Sequence, residues 1–511
     1  MEFVVTETGR HARRPLRIAD CGLRIEQQRT RRRPCFFCRK SAIRNSQSAI
    51  APPARRRARG TVLIVTMWIL LVLAGLVLVL ARAMRVEGDR AANALAATQA
   101  AAVEQGAIQY VLASVDGLQG EVPLDTDTPC EAVPVGDGAF WILRPAGEDQ
   151  RMYCYGITDE ASKVNLNAAT LEMLSKLPGM TAEFAPSIMD WRDADSNVTT
   201  GGAENEYYLM LPDPYECKNG PLETVEELFL VRDATKQVLF GQDQNRNGII
   251  DAGERTGPFS GTFSSSGSRL DRGIFNFVTV YSNEPGAAAA ATSASGTSGA
   301  AARLINVNDQ RSSQALTDLL RKAVASDRLP GVLDRVRRER PFRNLLDFYY
   351  RAGLSNDEFQ KIAGQITTSG SQGQAGLINV NTAPKEVLLC LPRLEESDVA
   401  ALMAKRAGAE TNRTSITWVA EVLPREKAAA IGGSITTRSY QFSADIVSIA
   451  ATGRAFRRCR VVVDARQSPP KVIYRQNLTH LGWPLDPDII TRLRSGNPLD
   501  RAVQTPGREM G

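Results

Sequence analysis

The stretch TVLIVTMWILLVLAGLVLVLA, Thr61 to Ala81, decides the reading of this chain, because 21 consecutive residues carry no charge. About 20 apolar residues are what a helix needs to cross the hydrocarbon core of a bilayer, so Thr61, Val65, Trp68 and Ala81 are assigned to a membrane span. Arg55-Arg56-Arg57-Ala58-Arg59 stands immediately before it. That excess of arginine sets the N-terminal side in the cytoplasm and everything after Ala81 outside. A secretory signal peptide would have an apolar region of only about 7 to 15 residues followed by a small-x-small cleavage site. This run is longer and ends in Ala81-Arg82.

Working outward toward the N-terminus, the junction Arg59-Gly60 before the apolar run resembles the prepilin peptidase site of type IV pilins. That resemblance implies removal of the leader after Gly60 and a mature chain beginning at Thr61. It departs from the pilin pattern at the first mature residue, usually aromatic or Met, and at the fifth, usually Glu and here Val65. In a filament that Glu offsets the ammonium of a neighbouring subunit inside the membrane. A subunit with no neighbour above it has no need of the carboxylate, and neither has a plain membrane anchor. Residues 1–50 are Arg-rich and without periodicity, and read as a leader or as the product of an upstream start codon.

The formal charge of +6 sits at one end. Residues 1–60 hold 16 Lys and Arg against 4 Asp and Glu, leaving 46 against 52 in the body. A nucleic-acid groove needs concentrated positive charge, which the body lacks. The only histidines are His11 and His480. A His-based zinc site therefore has no second imidazole, and a Ser-His-Asp or Cys-His arrangement would depend on His480 alone. The chain reads as a non-enzyme. Cys35 and Cys38 form one CxxC with no second pair at zinc-finger spacing. Cys130 and Cys154 flank an apparent hairpin, and both a disulfide in an oxidising compartment and two buried thiols remain open.

At 511 residues the chain has room for two or more folded units. Met84 to about Val115 is Ala-rich and helix-prone, with Leu95, Ala102, Val103, Ile108, Val111 and Leu112 available to one packing face. Ala139–Leu143 and Met152–Ile157 alternate as a hairpin. Helices follow over about 170–240 and 315–423, and strands return at 445–449, 457–464 and 472–475. The fold class is α+β: a pilin-like long N-terminal helix packed on an antiparallel sheet, interrupted by a large, mostly α-helical insertion containing helix-hairpin-helix-like repeats. The divisions are a leader at 1–60, the span at 61–81, helix and first strands at 82–160, and the insertion at 161–435 with a flexible linker at 284–303. Returning strands occupy 436–480, and a tail compatible with disorder occupies 481–511.

One motif recurs: Val164-Asn165-Leu166-Asn167, Ile305-Asn306-Val307-Asn308 and Ile378-Asn379-Val380-Asn381. Each precedes a helix, and the last Asn or a following Thr170 or Thr382 is expected to cap it. Leu174 to Thr181, followed by a helix reaching Arg192, resembles a helix-hairpin-helix. DNA-binding versions use glycine-apolar-glycine so that backbone N–H groups approach a phosphate. Here the second glycine is Thr181, and the copy at Leu391–Glu395 lacks both glycines and adds acids. Nucleic-acid contact is therefore disfavoured.

Asp243 to Glu254, DQNRNGIIDAGE, fits the calcium-loop template. Asp243, Asn245, Asn247 and Asp251 supply side-chain oxygens, Ile249 its carbonyl and Glu254 both carboxylate oxygens, with Gly248 at the sharp turn. A looser echo places Asp193, Asp195, Asn197 and Glu204 at corresponding positions, with Val198 in place of the glycine. Calcium is expected in both as a structural cross-link.

These features, together with Lys163–Asn167, Ile188–Asp195, Gly201–Tyr208, Pro221–Leu228 and Ile378–Leu388, resemble the protein K family of minor pseudopilins in type II secretion systems. The resemblance covers most of residues 55–465 and is most specific over 190–228. It implies a pilin-like domain with an inserted helical domain at the tip of a short periplasmic filament, in an inner-membrane protein that nucleates assembly for export across the outer membrane. The partners it implies are the I and J minor pseudopilins, prepilin peptidase, inner-membrane lipid and exported proteins. It also implies calcium in the insertion, at Asp193, Asp195 and Glu204. A membrane-tethered DNA-uptake protein and a type IV pilus tip subunit are the alternative readings.

Overall fold

The computed structural model describes residues 61–125, 127–145, 153–243, 245–249, 254, 273–286, 304–370, 373–408 and 413–497. Two compact units divide at Val77 and Leu78. In the first, the described residues are helical and apolar. The helix that contains them runs Thr61–Val115.

Within the second unit, the helix from residue 96 onward packs on a seven-stranded sheet. Ala96, Ala100, Val103, Ala107, Val111 and Val115 are buried at intervals of three and four residues, with Ile108 beside them, one stripe of a 3.6-residue period. Leu95 and Ala102, expected on that face, are exposed instead. Alanines 96 and 100 meet Ala450, and their small side chains let the helix lie close to the strand end. Glu104 is also buried on this face, and its carboxylate receives Arg457 at 2.6 Å and Arg475 at 2.7 Å from the strands.

The main path of the sheet places Val133–Val135, Gly138–Arg144, Gln441–Ile449, Phe456–Asp464 and Lys471–Asn477 side by side, all antiparallel. Gly138–Arg144 also pairs with Cys154–Tyr155, as the hairpin reading expects. Alternation along the strands is clean. Phe140, Ile142, Phe442, Ala444, Ile446, Val461 and Val463 face the helix, while Trp141, Leu143, Val447 and Ile449 face the other way. That second face is covered by Trp483, Leu485 and Leu493. The polar segment after Pro484 therefore contains a helix, Pro487–Arg494, started by Asp486 and a proline in its first turn. Residues 498–511 lie outside the described residues.

The insertion leaves the sheet at Asp159 and returns beside it, since Asp159 registers with Phe442. Inside it the Asn motif builds three similar modules around one apolar core. Each motif's first two residues form a short parallel ladder with a later segment: Val164-Asn165 with Val278-Thr279, Ile305-Asn306 with Ile366-Thr367, and Ile378-Asn379 with Ile435-Thr436. The first Asn accepts from the N–H of the second at 2.8 to 2.9 Å. Its Nδ2 donates to a serine just past the partner segment: the carbonyls of Ser282 and Ser369 and the hydroxyl of Ser439. The second Asn donates to the carbonyls of Leu222, Phe342 and Arg413, at 2.9, 2.8 and 2.7 Å. These asparagines are long-range pins and not the helix caps that local spacing suggests. Thr170 does cap, accepting from Met173 N–H, but Thr382 gives its hydroxyl to Asp159 instead.

Asp159 is the point where the modules meet the sheet. Its buried carboxylate accepts from Ala161 N–H, Ser439, Thr382 and Asn379. Burial outweighs those donors and pushes its pKa up. Next to it, Glu160 forms a buried ion pair with Lys163 and accepts from Thr279 and Ser443.

Two expectations follow, both read as thermal midpoints of the full chain in detergent. Lys163→Met strands Glu160 as a lone buried charge and should cost about 3 to 5 kcal/mol, much of it recovered by the Glu160→Gln/Lys163→Met double variant. Asn308→Ala leaves the Phe342 carbonyl and N–H unpaired and should cost roughly 1 to 3 kcal/mol.

Candidate metal centres and membrane segment

The helix Phe184–Arg192 ends by delivering Asp190 and, at its C-cap, Asp193, while Glu204 stands at the N-cap of Asn205–Leu209. The chain between them folds back, with Gly202 N–H donating to Thr199 O at 2.7 Å. Asp190 is fully buried and accepts from Thr199 N–H through both oxygens, at 3.1 and 3.2 Å. Gly202 lies against it: a Cβ there would stand 2.1 Å from Asp190 Oδ2. Only glycine admits the carboxylate at that depth.

Glu204 is 2% exposed, and neither of its oxygens, nor Asp193 Oδ1, receives a donor from the protein. Burial, reinforced by Asp190 and Asp193, raises the Glu204 pKa above the ordinary carboxylate range. Burial, reinforced by Asp195 and Asp190, does the same for Asp193. Neighbouring like charges with unused lone pairs are what a hard divalent cation neutralises. The donors are all oxygen, which suits calcium better than zinc.

Of the residues read from spacing, Asp193 and Glu204 feel each other's charge, but no group of three or more His, Cys, Asp or Glu side chains among the described residues is placed to hold a metal ion. Asp195 and Asn197 are exposed, and Asn197 spends its amide nitrogen on Asp195 Oδ1 at 2.7 Å. Asp190 was missed, although its i,i+3 spacing to Asp193 at the helix end was a signal.

The described residues of the Asp243 loop form a turn. Gly248 turns at φ +84. Asp243, 2% exposed, accepts from Asn247 and Gly248 N–H at 3.1 and 3.0 Å. Asn245 accepts from Asn247 N–H, and Asn247 from Ile249 N–H. Glu254 returns across the loop to accept from Asn245 N–H at 3.0 Å. Burial, then the nearby Glu254, pushes Asp243 up to about 7. These side chains fit a cation loop; Asp251 lies outside the described residues.

The loop is seated on the sheet by a residue that spacing did not flag. Arg458, whose side chain is fully buried, pairs with Asp445 at 2.6 Å and donates to the carbonyls of Asn245 and Arg246, both at 2.5 Å. Asn247 Nδ2 reaches Pro484 O at 3.0 Å.

One helix among the described residues is long and apolar enough to cross a membrane, with a mean hydropathy of 3.0 over its most apolar window and none of that window buried. Val65 and Trp68 are exposed on it, and Ala81 is exposed as well. Thr61 is its first residue, and Gly60 lies outside the described residues. In the hairpin after Leu171–Ser175, Thr181 Oγ1 accepts from Phe184 N–H at 3.0 Å, so a side chain occupies the place of the second glycine. The thiols of Cys130, Cys154, Cys217, Cys390 and Cys459 are all free; Cys35 and Cys38 lie outside the described residues.

Comparison with known proteins gives a local match. No curated protein matches the chain. Among solved structures it is similar to the complex of GspK with GspI and GspJ from enterotoxigenic Escherichia coli, at 14% identity and a TM-score of 0.30, over 77% of this chain and 98% of that one. Residues 157–240 match the family model of type II secretion system protein K. Those residues contain the carboxylates Asp190, Asp193 and Glu204, and over them the chain is similar to the type II secretion system protein K family.

Proposed function

We propose that this chain is a minor pseudopilin of a type II secretion system. The match of residues 157–240 to protein K carries this reading, and the apolar helix beginning at Thr61 supports it. Residues 61–81 anchor the chain in the inner membrane, with the arginines of 55–59 on the cytoplasmic side and the body in the periplasm. Prepilin peptidase cuts between Gly60 and Thr61. The trimmed helix then packs beside those of the I and J pseudopilins to start a short filament serving protein export. Val65, standing where filament subunits usually carry Glu, suits a subunit that caps the tip.

Calcium is the structural cation of both oxygen clusters in this reading. Asp193 and Glu204, with Asp190, hold one ion, and Asp195 and Asn197 shape the loop beside it. Asp243, Asn245, Asn247, Asp251, Glu254 and the carbonyl of Ile249 hold the other. Extracellular loops of this type fill at high calcium levels.

Mass spectrometry of the membrane-extracted protein should find an N-terminus at Thr61, and the chain should co-purify with pilin-like companions. An intact Arg55–Gly60 in cells with active peptidase would reject the assignment.

The pH dependence of stability has a definite sign. Raised carboxylate pKa values at Asp193 and Glu204 mean that the cation-free native chain binds more protons than the unfolded chain. Their contribution is full below about pH 4 and is lost as pH rises through the raised values. Calcium reverses that loss, so the calcium-induced rise in Tm should be larger at pH 7 than at pH 4. Glu204→Gln should shrink it.

A further inference from the structure

The strand Phe456–Asp464 carries one cation that its neighbours leave without a carboxylate. Cys459, Val461 and Val463 pack toward the long helix, so Arg458, Arg460 and Val462 alternate onto the opposite face. Asp445 registers directly across from Arg460, but both of its carboxylate oxygens accept from Arg458. Glu160 is near as well: against its burial, Lys163 and then Arg460 hold its carboxyl low. Its oxygens are nonetheless spent on Lys163, Thr279 and Ser443. Among the described residues Arg460 has no ion pair and no side-chain hydrogen bond, and its guanidinium lies 4.9 Å from the centre of the Phe275 ring.

That guanidinium lines a cleft of about 320 Å³, open to solvent, together with Glu160, Lys163, Glu226, Phe275, Tyr281 and Tyr474. The Tyr281 and Tyr474 rings stand 5.5 Å apart. Tyr281 N–H donates to Thr279 Oγ1 at 3.1 Å, which fixes the phenol beside the first parallel ladder. Its hydroxyl is buried with no hydrogen-bond partner among the described residues, although buried polar atoms nearly always find one. Burial raises its pKa above the usual tyrosine range, with Arg460 near enough to offset part of the rise. The hydroxyl therefore keeps a proton to donate. Glu160 and Glu226 are each matched by one cation, Lys163 and Arg246, so Arg460 leaves one positive charge over. A monoanion matches that surplus; a dianion such as hydrogen phosphate exceeds it beside two carboxylates.

We infer that this cleft binds a carboxylate, with the Arg460 guanidinium facing its two oxygens, the Tyr281 hydroxyl donating to one of them, and Phe275 and Tyr474 walling the group attached to it. A planar guanidinium fork matches a carboxylate's two oxygens, and flat aromatic walls suit an apolar neighbour. The inference is independent of the pseudopilin reading and of both calcium loops. The competing role is packing alone, in which Arg460 merely covers Phe275 and the Tyr281 hydroxyl does nothing.

Calorimetric titration of the full chain in non-ionic detergent separates these roles, with N-acetylphenylalanine, its uncharged amide, acetate and inorganic phosphate as probes. N-acetylphenylalanine should bind, and its amide and phosphate should bind more weakly. Arg460→Gln should weaken the acid by roughly tenfold or more and Tyr281→Phe by about severalfold. Tyr281→Phe keeps the ring and removes a hydroxyl that no protein group uses, so the ligand-free Tm should not fall. Acetate binding as tightly as N-acetylphenylalanine assigns the site to free small acids, and weaker acetate assigns it to a carboxylate on a larger apolar group such as a chain end; both uphold the inference. Binding of neither acid, equal binding of acid and amide, phosphate binding tighter than the acid, or affinity that survives both substitutions would overturn it. Should Arg460→Gln not fold, Tyr281→Phe decides alone, because packing predicts unchanged affinity and a carboxylate site does not.

Discussion

Everything in the folded body depends on the chain leaving one edge of a strand and coming back beside it. Asp159 and Ser439 are 280 residues apart in sequence and hydrogen-bonded in space at 2.6 Å. Closing so long a loop costs conformational entropy, and the closure is held by polar groups that have no alternative partners in a dry environment. Asp159 gathers donors from the third module, while Glu160 gathers Lys163, Thr279 from the first module and Ser443 from the sheet. Such a set is strong when complete and costly when any member is missing. It makes the sheet and the insertion one cooperative body, although the chain threads them as separate segments.

The parts legible in the sequence were those with a period. The span shows as uninterrupted apolar residues, the strands as alternation, and the helices of the insertion as spaced apolar positions. What failed were assignments that depend on partners far along the chain. Leu95 looks like a core residue by hydropathy, yet Ala96 and Ala100 take the inner face because close approach favours small side chains. The motif asparagines look like caps because their sequence neighbours are helices. Their true partners lie 55, 34 and 32 residues onward, beyond any local rule. The C-terminal helix was hidden by its polar surroundings, although Asp486-Pro487 is an ordinary helix start.

The two oxygen clusters were legible to different degrees for the same reason. The Asp243 loop is a contiguous template, so spacing located the side chains of Asp243, Asn245 and Asn247 and the turn at Gly248. The Asp193 cluster draws on a helix end, a turn and a later segment, so spacing caught Asp193 and Glu204 but not Asp190. Gly202, whose missing side chain makes room for Asp190, had no sequence signature beyond standing next to another glycine. In each case burial decides which oxygens remain unspent, and burial is a property of the assembled fold.

Arg458 ties the fate of one insertion to one strand position. Its guanidinium is satisfied jointly by Asp445 and by two backbone carbonyls of the Asn245 loop. A chain without that loop would leave part of a fully buried cation unsolvated, an expense that an apolar or shorter residue at 458 avoids. Loop and arginine are thus coupled in one direction: removing the first leaves the second with hydrogen-bond donors that no other group among the described residues accepts.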